Sequence, residues 1–322
     1  MAERDCREPS QQYGFFLHPQ FSMLAFTSAV EPLRAANRLS GRQLYHWQVI
    51  SYDGKPVTAS SGIEVVPHAG IDDIDQIDNL IVVAGLNAHL HSDKRLFAWL
   101  RKLERQGCRL GALSTGSYTL ARAGLLQGYR STVHWENLAG FHEDFPELEV
   151  SAELFEIDRN RFTCSGGTAA LDMMLSLIAL EHGRDLVTQV AEQFIHERIR
   201  DPHDQQRMTL RGRLGISHPK LLKVIEMMEA NLEEPLPRGD LARANGLSTR
   251  QLERLFRKYL NRTPTRYYLE LRLNRARALL NQTSLSVLDV ALACGFVSAS
   301  HFSKCYREFF AKTPREERLV SA

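Results

Sequence analysis

The chain has 322 residues, 43% of them hydrophobic and 24% charged, which suits a soluble protein of two domains, each long enough to bury its own core. The opening MAERDCREPSQQ lacks the apolar stretch of a secretion signal, and apolar runs elsewhere stay under about ten residues, so neither export nor a membrane span is expected and the cytoplasm is the expected compartment. Net charge is only +2, but it is unevenly divided: up to Gly212, 21 Lys+Arg face 27 Asp+Glu, and beyond it 19 face 11. The basic second part is therefore the one expected to meet a polyanion. Five cysteines (Cys6, Cys108, Cys164, Cys294, Cys305) are odd in number and form no C-x-x-C pair. They argue against a disulfide framework or a zinc site, and no metal or other cofactor is expected.

In chain order, YGFFLH (13–18), YHWQVISY (45–52), NLIVVAG (79–85) and CRLGAL (108–113) read as strands, separated by helical stretches such as SMLAFTSAVEPLRAANRL (22–39) and DKRLFAWLRKLERQG (93–107). Unbroken apolar strands alternating with helices predict a parallel α/β sheet covered on both faces. Ligands of such sheets sit at the carboxyl ends of the strands. In CRLGALSTGSYTLARAG (108–124), Ser114 falls at such an end, Gly116 allows a tight turn, and the next helix points its N-terminus back at the site.

That turn has two readings. In one, Ser114 attacks a substrate with His134 of STVHWEN (131–137) as its base, although no acid is marked out to orient the histidine. In the other, the turn only binds: Ser114 and Thr115 offer hydrogen bonds, the turn amides suit a carboxylate, and Trp135 offers an aromatic face to a cationic or quaternary ammonium group. Glu31, if it faces inward, meets an amine. The plainer alternatives are that Trp135 packs in the core, that Glu31 pairs with Arg34 or Arg38 on its own helix, and that His134 is satisfied by backbone. Trp47 and Trp99 read as packing residues. Cys164, before a Gly pair, is either partly exposed near the site or buried and inert.

RDLVTQVAEQFIHERI (184–199) is amphipathic, with Leu186, Val190, Phe194 and Ile195 on one side, and reads as the last helix of the first domain or part of a dimer seam. Residues 201–218 mix Pro, Gly and polar residues and are expected to form a linker, dividing a domain at 11–200 from one at 219–319.

The second part contains itself twice. DLARANGLSTRQLERLFRKYLNRTP (240–264) lies over DVALACGFVSASHFSKCYREFFAKTP (289–314) with one extra residue in the second copy. Each copy reads as helix, glycine turn, helix, with Gly246 or Gly295 ending the first helix and Ser248 or Ser298 capping the second. Leu252, Leu255 and Phe256, matched by Phe302, Cys305 and Tyr306, form one buried face. The opposite face carries Arg250, Glu253, Arg254 and Arg257 in the first copy and Ser300, His301, Lys304 and Arg307 in the second. These residue types suit base edges and phosphates in a DNA major groove, where a helix-turn-helix places its second helix. The intervening TPTRYYLELRLNRARALLNQTS (263–284) is helical for about five turns and would hold the two modules rigidly.

ALACGFVSASHFSKCYREFFAKTP (291–314) carries the signature of the AraC/XylS family, and residues 219–319 resemble that family's DNA-binding domain. The resemblance implies a seven-helix domain, contact with double-stranded promoter DNA, transcription control, and base reading by Arg250, Glu253, Arg254, Ser300, His301 and Lys304. FSMLAFTSAVEPLRAANRLSG (21–41), the turn at 112–116, LARAGLLQGYRSTVHW (120–135) and CSGGTAALDMML (164–175) resemble the class I glutamine amidotransferase-like superfamily that includes the PfpI peptidases, and more closely the GlxA-type regulators in which such a domain precedes an AraC domain. That implies a flavodoxin-like first domain that senses a ligand and dimerises. Enzymes of the superfamily carry cysteine at the turn, then histidine, and a glutamate near the end of the first strand, where this chain has Ser114, Thr115 and Ala25. These departures count against catalysis. The expectation is a homodimeric regulator, an activator of catabolic genes working with RNA polymerase, responding to a small amino acid, amine or quaternary ammonium metabolite; the alternative is a DNA-tethered serine hydrolase or amidotransferase using Ser114 and His134.

Overall fold

The computed structural model describes residues 10–88 and 93–321. The chain divides between Gln206 and Arg207 into two compact units. The first contains β1 (Gln11–Leu17), α1 (Met23–Ser40), β2 (Tyr45–Ser51), β3 (Val57–Thr58), β4 (Glu64–Val65), β5 (Ala69–Gly70), β6 (Asn79–Val83), α2 (Lys94–Arg105), β7 (Arg109–Leu113), α3 (Gly116–Arg122), β8 (Ser131–Thr132), α4 (Leu138–Asp144), β9 (Val150–Ser151), β10 (Phe155–Asp158), β11 (Arg161–Cys164), α5 (Ala169–His182) and α6 (Arg184–Gln193).

Seven strands form one sheet in the order β10-β11-β7-β6-β1-β2-β5. All neighbours are parallel except β10 and β11. Both faces are covered, which is why the strands are apolar throughout: α1, α5 and α6 close one side around Phe15, Ile81 and Met173, and α2 and α3 close the other around Phe16, Leu80 and Leu100. From β1 the sheet grows one way through β2 and the other way through β6, so the strand order reverses between β1 and β6. The carboxyl ends around that reversal form the crevice in which open α/β sheets hold ligands.

Two expectations change here. The helix expected over 184–199 stops at Gln193. Ile195 has a left-handed backbone (φ 54°) and is 93% exposed, so it does not continue the stripe formed by Val187, Val190 and Ala191. Nor are residues 201–218 free of structure. Leu154 N donates to Pro202 O at 2.9 Å, which ties the start of this stretch to the first unit, whereas Leu210 and Ile216 are buried in the core of the second.

The second unit is helical: α7 (Leu210–Leu214), α8 (Pro219–Ala230), α9 (Arg238–Ala244), α10 (Thr249–Leu260), α11 (Pro264–Gln282), α12 (Val287–Ala293), α13 (Ala299–Phe310) and α14 (Pro314–Ser321). The repeated pairs are α9–α10 and α12–α13. Gly246 (φ 60°) and Gly295 (φ 72°) take the left-handed conformation between the members of each pair. Among the described residues no helix is long and apolar enough to cross a membrane.

Candidate effector site and nucleic-acid interface

Ser114 follows β7 in a left-handed conformation, φ 60°, which costs a non-glycine residue about 1–2 kcal/mol. Its surroundings hold it there. Ser114 N donates to Cys164 O at 2.9 Å and Ser114 O accepts from His134 N at 3.4 Å. A Cβ on Gly166 would lie 2.7 Å from Ser114 Cβ, and one on Gly116 would lie 2.3 Å from Val82 O. The two glycines thus let β6, β7 and the 165–168 loop close on one point, and only 8% of Ser114 remains exposed. Thr115 turns its hydroxyl the other way and donates to Gly85 O at 2.6 Å.

His134 stands beside this turn, but it is not assembled as a base. Its Nδ1 accepts from Glu136 N at 3.4 Å. The Glu136 carboxylate, 3.9 Å away, is beyond hydrogen-bonding distance. Burial pushes the imidazole below its usual pKa, so the ring is neutral at pH 7. Among the described residues no hydrogen bond joins its ring to Ser114 Oγ, and a nucleophilic serine requires one.

Trp135 is 38% exposed, with its ring 5.5 Å from that of His134. This removes the core-packing alternative for Trp135. Trp99 is buried as expected, donating Nε1 to Ile74 O. Glu31 pairs with Arg34 at 2.6 Å on the outer part of α1. It lies eight residues from the start of that helix, about 12 Å along its axis, and its carboxylate is bonded within its own helix. Cys164 is fully buried, and burial pushes its thiol up to about 12, which leaves it inert.

The sequence reading missed the residues that tie this turn to the end of the unit. Asp172, fully buried on α5, accepts from His196 Nε2, Arg200 N and Arg200 Nε, each at 2.8 Å. Arg200 Nη2 also donates to Thr168 Oγ1 at 2.8 Å, two residues beyond Gly166. Gln206 Nε2 lies 3.0 Å from Thr132 Oγ1, 3.1 Å from Val133 O and 2.8 Å from Glu153 O, immediately before His134. Residues 196–206, the last of the first unit, are therefore bonded to both stretches that hold Ser114. One signal was visible: Asp172 is the only charge in an otherwise apolar and small-residue run, CSGGTAALDMML, and a buried acid must have partners.

In the second unit, α10 and α13 are each 12 residues long. Ser248 Oγ accepts from Gln251 N and Ser298 Oγ from His301 N. Leu252 and Phe256, like Phe302 and Tyr306, are buried. This leaves Arg250, Arg254 and Arg257 exposed on α10 and Ser300, His301, Lys304 and Arg307 exposed on α13. Arg254 and Lys304 occupy the same helical position, as do Arg257 and Arg307. Glu253 differs from the rest because its carboxylate is taken by Arg238 at the start of α9. The His301 ring lies against Cys305, with Nε2 3.4 Å from Sγ. On α11, Arg272 donates to Cys294 O at 2.7 Å and Gly295 O at 2.6 Å, clamping the glycine turn of the second pair.

Comparison with known proteins agrees with both halves. Residues 15–180 match the DJ-1/PfpI family and residues 241–319 a helix-turn-helix domain family. The chain is 54% identical to the HTH-type transcriptional regulator GbdR of Pseudomonas aeruginosa over 96% of this chain and 84% of that one. It is 39% identical to the HTH-type transcriptional regulator GlxA of Rhizobium meliloti over 97% and 96%. A crystal structure of an AraC family transcriptional regulator from Pseudomonas putida superposes with a TM-score of 0.54 at 30% identity, covering 57% of this chain and all but 1% of that one. An isonitrile hydratase of Pseudomonas putida is 31% identical over 52% of this chain and 70% of its own. With its flavodoxin-like sheet domain of the DJ-1/PfpI family followed by a double helix-turn-helix region, the chain belongs to the AraC-type transcriptional regulators of the GlxA kind.

Proposed function

We propose that the protein is a sequence-specific DNA-binding transcriptional regulator whose first unit senses a small amino acid, amine or quaternary ammonium metabolite without transforming it. One observation carries the sensing half: the strained Ser114 turn is kept intact while, among the described residues, no base is hydrogen-bonded to its hydroxyl. A turn built this way retains the cost of presenting Ser114, and the described residues supply no relay that would make it attack. Ser114 Oγ then donates to the ligand, the neutral ring of His134 does not repel a cation, and the exposed face of Trp135 receives one. Glu31, which meets an amine only if it faces inward, is given no part in this reading, because its carboxylate pairs with Arg34. Residues 196–206 carry the change onward, since a ligand that moves the 132–134 or 166–168 backbone displaces Gln206 or Arg200. A ligand that fits both arrangements equally would shift nothing. Two chains acting as a homodimer would read repeated operator sites in the cytoplasm and, as an activator of catabolic genes, would present RNA polymerase with a bound promoter.

A thermal-shift screen of amino acids and quaternary amines tests the sensing half. A true effector at about 100 times its Kd stabilises the first unit by about 2.7 kcal/mol, and Ser114→Ala is expected to remove most of that gain. Turnover of an amide, ester or nitrile-like compound by the wild type, abolished in Ser114→Ala, would instead favour the enzyme reading that the hydratase likeness raises.

For the DNA half, Arg254→Ala is expected to weaken specific binding by about 1–3 kcal/mol and to relax preference at one base position, whereas Arg257→Ala lowers affinity for all sequences and reduces the salt slope by about one. Titration of both variants against specific and random duplex at several salt concentrations reads this directly. Equal losses on every duplex in both variants would overturn the assignment.

A further inference from the structure

We infer that Val297 recognises a thymine methyl group in the part of the operator entered by α13. This rests on the regulator reading above and adds a specificity-determining residue to it.

Val297 is the residue by which the second repeat exceeds the first. Gly246-Leu247-Ser248 spans three positions where Gly295-Phe296-Val297-Ser298 spans four. In the first repeat Leu247, directly before the cap, packs against the core that includes Leu252, which is a hydrophobic staple. In the second repeat Phe296 has taken that role one residue earlier, its ring 5.1 Å from that of Phe302. The inserted Val297 is left outside the core and is 97% exposed.

An insertion that only lengthened the turn would favour glycine, asparagine or serine, which tolerate turn geometry and hydrate well. A branched apolar side chain in that place gains nothing in the free protein and gains about 25 cal/mol per Å² once covered. What covers it is set by its neighbours. It adjoins Ser298, the cap of α13, on the helix whose exposed residues are Ser300, His301, Lys304 and Arg307. That basic, polar face fits a polyanion and not an apolar protein surface. A recognition helix presents its N-terminal end to the base edges, and the apolar feature on those edges is the C5 methyl of thymine.

The test begins with duplexes recovered by the full-length protein from a randomised library. Each thymine of the recovered consensus is replaced in turn by deoxyuridine, which removes only the methyl group, and Kd is measured for the wild type and for Val297→Ala. At one position the replacement is expected to weaken wild-type binding about fourfold, the worth of one buried methyl. At that position it should leave Val297→Ala unchanged, because the variant has already lost the contact; such non-additivity is the signature of a direct interaction. Val297→Ala melts like the wild type, since the side chain supports no core. If every thymine replacement affects both proteins by the same factor, the inference is overturned while the regulator stands. If no consensus is recovered at all, the regulator reading fails and takes the inference with it.

Discussion

Gly295→Ala is expected to destabilise the second unit by about 3 kcal/mol and to abolish specific DNA binding, while Gly246→Ala at the equivalent turn costs about 1 kcal/mol. Both glycines have positive φ, so both substitutions carry the left-handed penalty. The difference lies in what a methyl group would meet. At Gly246 the nearest atom is the flexible Lys220 Nζ at 3.5 Å; at Gly295 the added carbon would sit 2.7 Å from Glu233 O, 2.8 Å from Leu232 O and 2.8 Å from Pro235 Cδ. Those are backbone or ring atoms of the loop between α8 and α9, and Arg272 grips the turn from the other side, so neither partner can yield. The turn of the second pair is therefore packed directly on the loop that leads into the first pair, and its displacement would disturb the register in which α10 and α13 meet DNA. Calorimetric melting of the full chain measures the difference, about 12–20 °C for the larger loss against about 5 °C. Equal shifts for the two variants would contradict the account.

Asp172→Ala is expected to cost about 3 kcal/mol and to uncouple effector binding from transcription. Its carboxylate is fully buried and satisfies one backbone and two side-chain donors, and removing one member of a buried charged network leaves the others desolvated and unpaired. The loss stays at the lower end of the usual range because Arg200 is about one-third exposed and can turn to solvent. Gln206→Ala separates coupling from stability. That side chain is half-buried, so the variant should lose only about 1 kcal/mol and still bind effector, yet respond weakly in a promoter-reporter assay. Full inducibility in both variants would show that residues 196–206 do not transmit the signal.

The helix-turn-helix pairs were legible in the residues because each depends on local rules: a left-handed glycine, a serine cap, and apolar residues at i, i+3 and i+4. The Ser114 turn was legible for the same reason, a strand running into a small residue before a helix. For Glu31 the residues left two readings, a ligand amine or Arg34 and Arg38 on its own helix, and the structure pairs it with Arg34. Ile195 fitted a helical stripe on paper, but the helix ended two residues before it, and no propensity in RDLVTQVAEQFI marks that stop.

By itself the sequence determined that a sheet domain precedes a duplicated helix-turn-helix module, because this follows from residue identity and short-range periodicity, while the resemblance to the amidotransferase-like superfamily marked Ser114 as standing where its enzymes carry a thiol. Only the tertiary structure decided that no base among the described residues is bonded to Ser114 Oγ, that Asp172 and Gln206 bind partners 28 and 53 to 74 residues away, and that Val297 stands clear of the core. Those outcomes depend on which distant segments are packed together, and on burial, which sets the cost of every unpaired polar group and every uncovered apolar one.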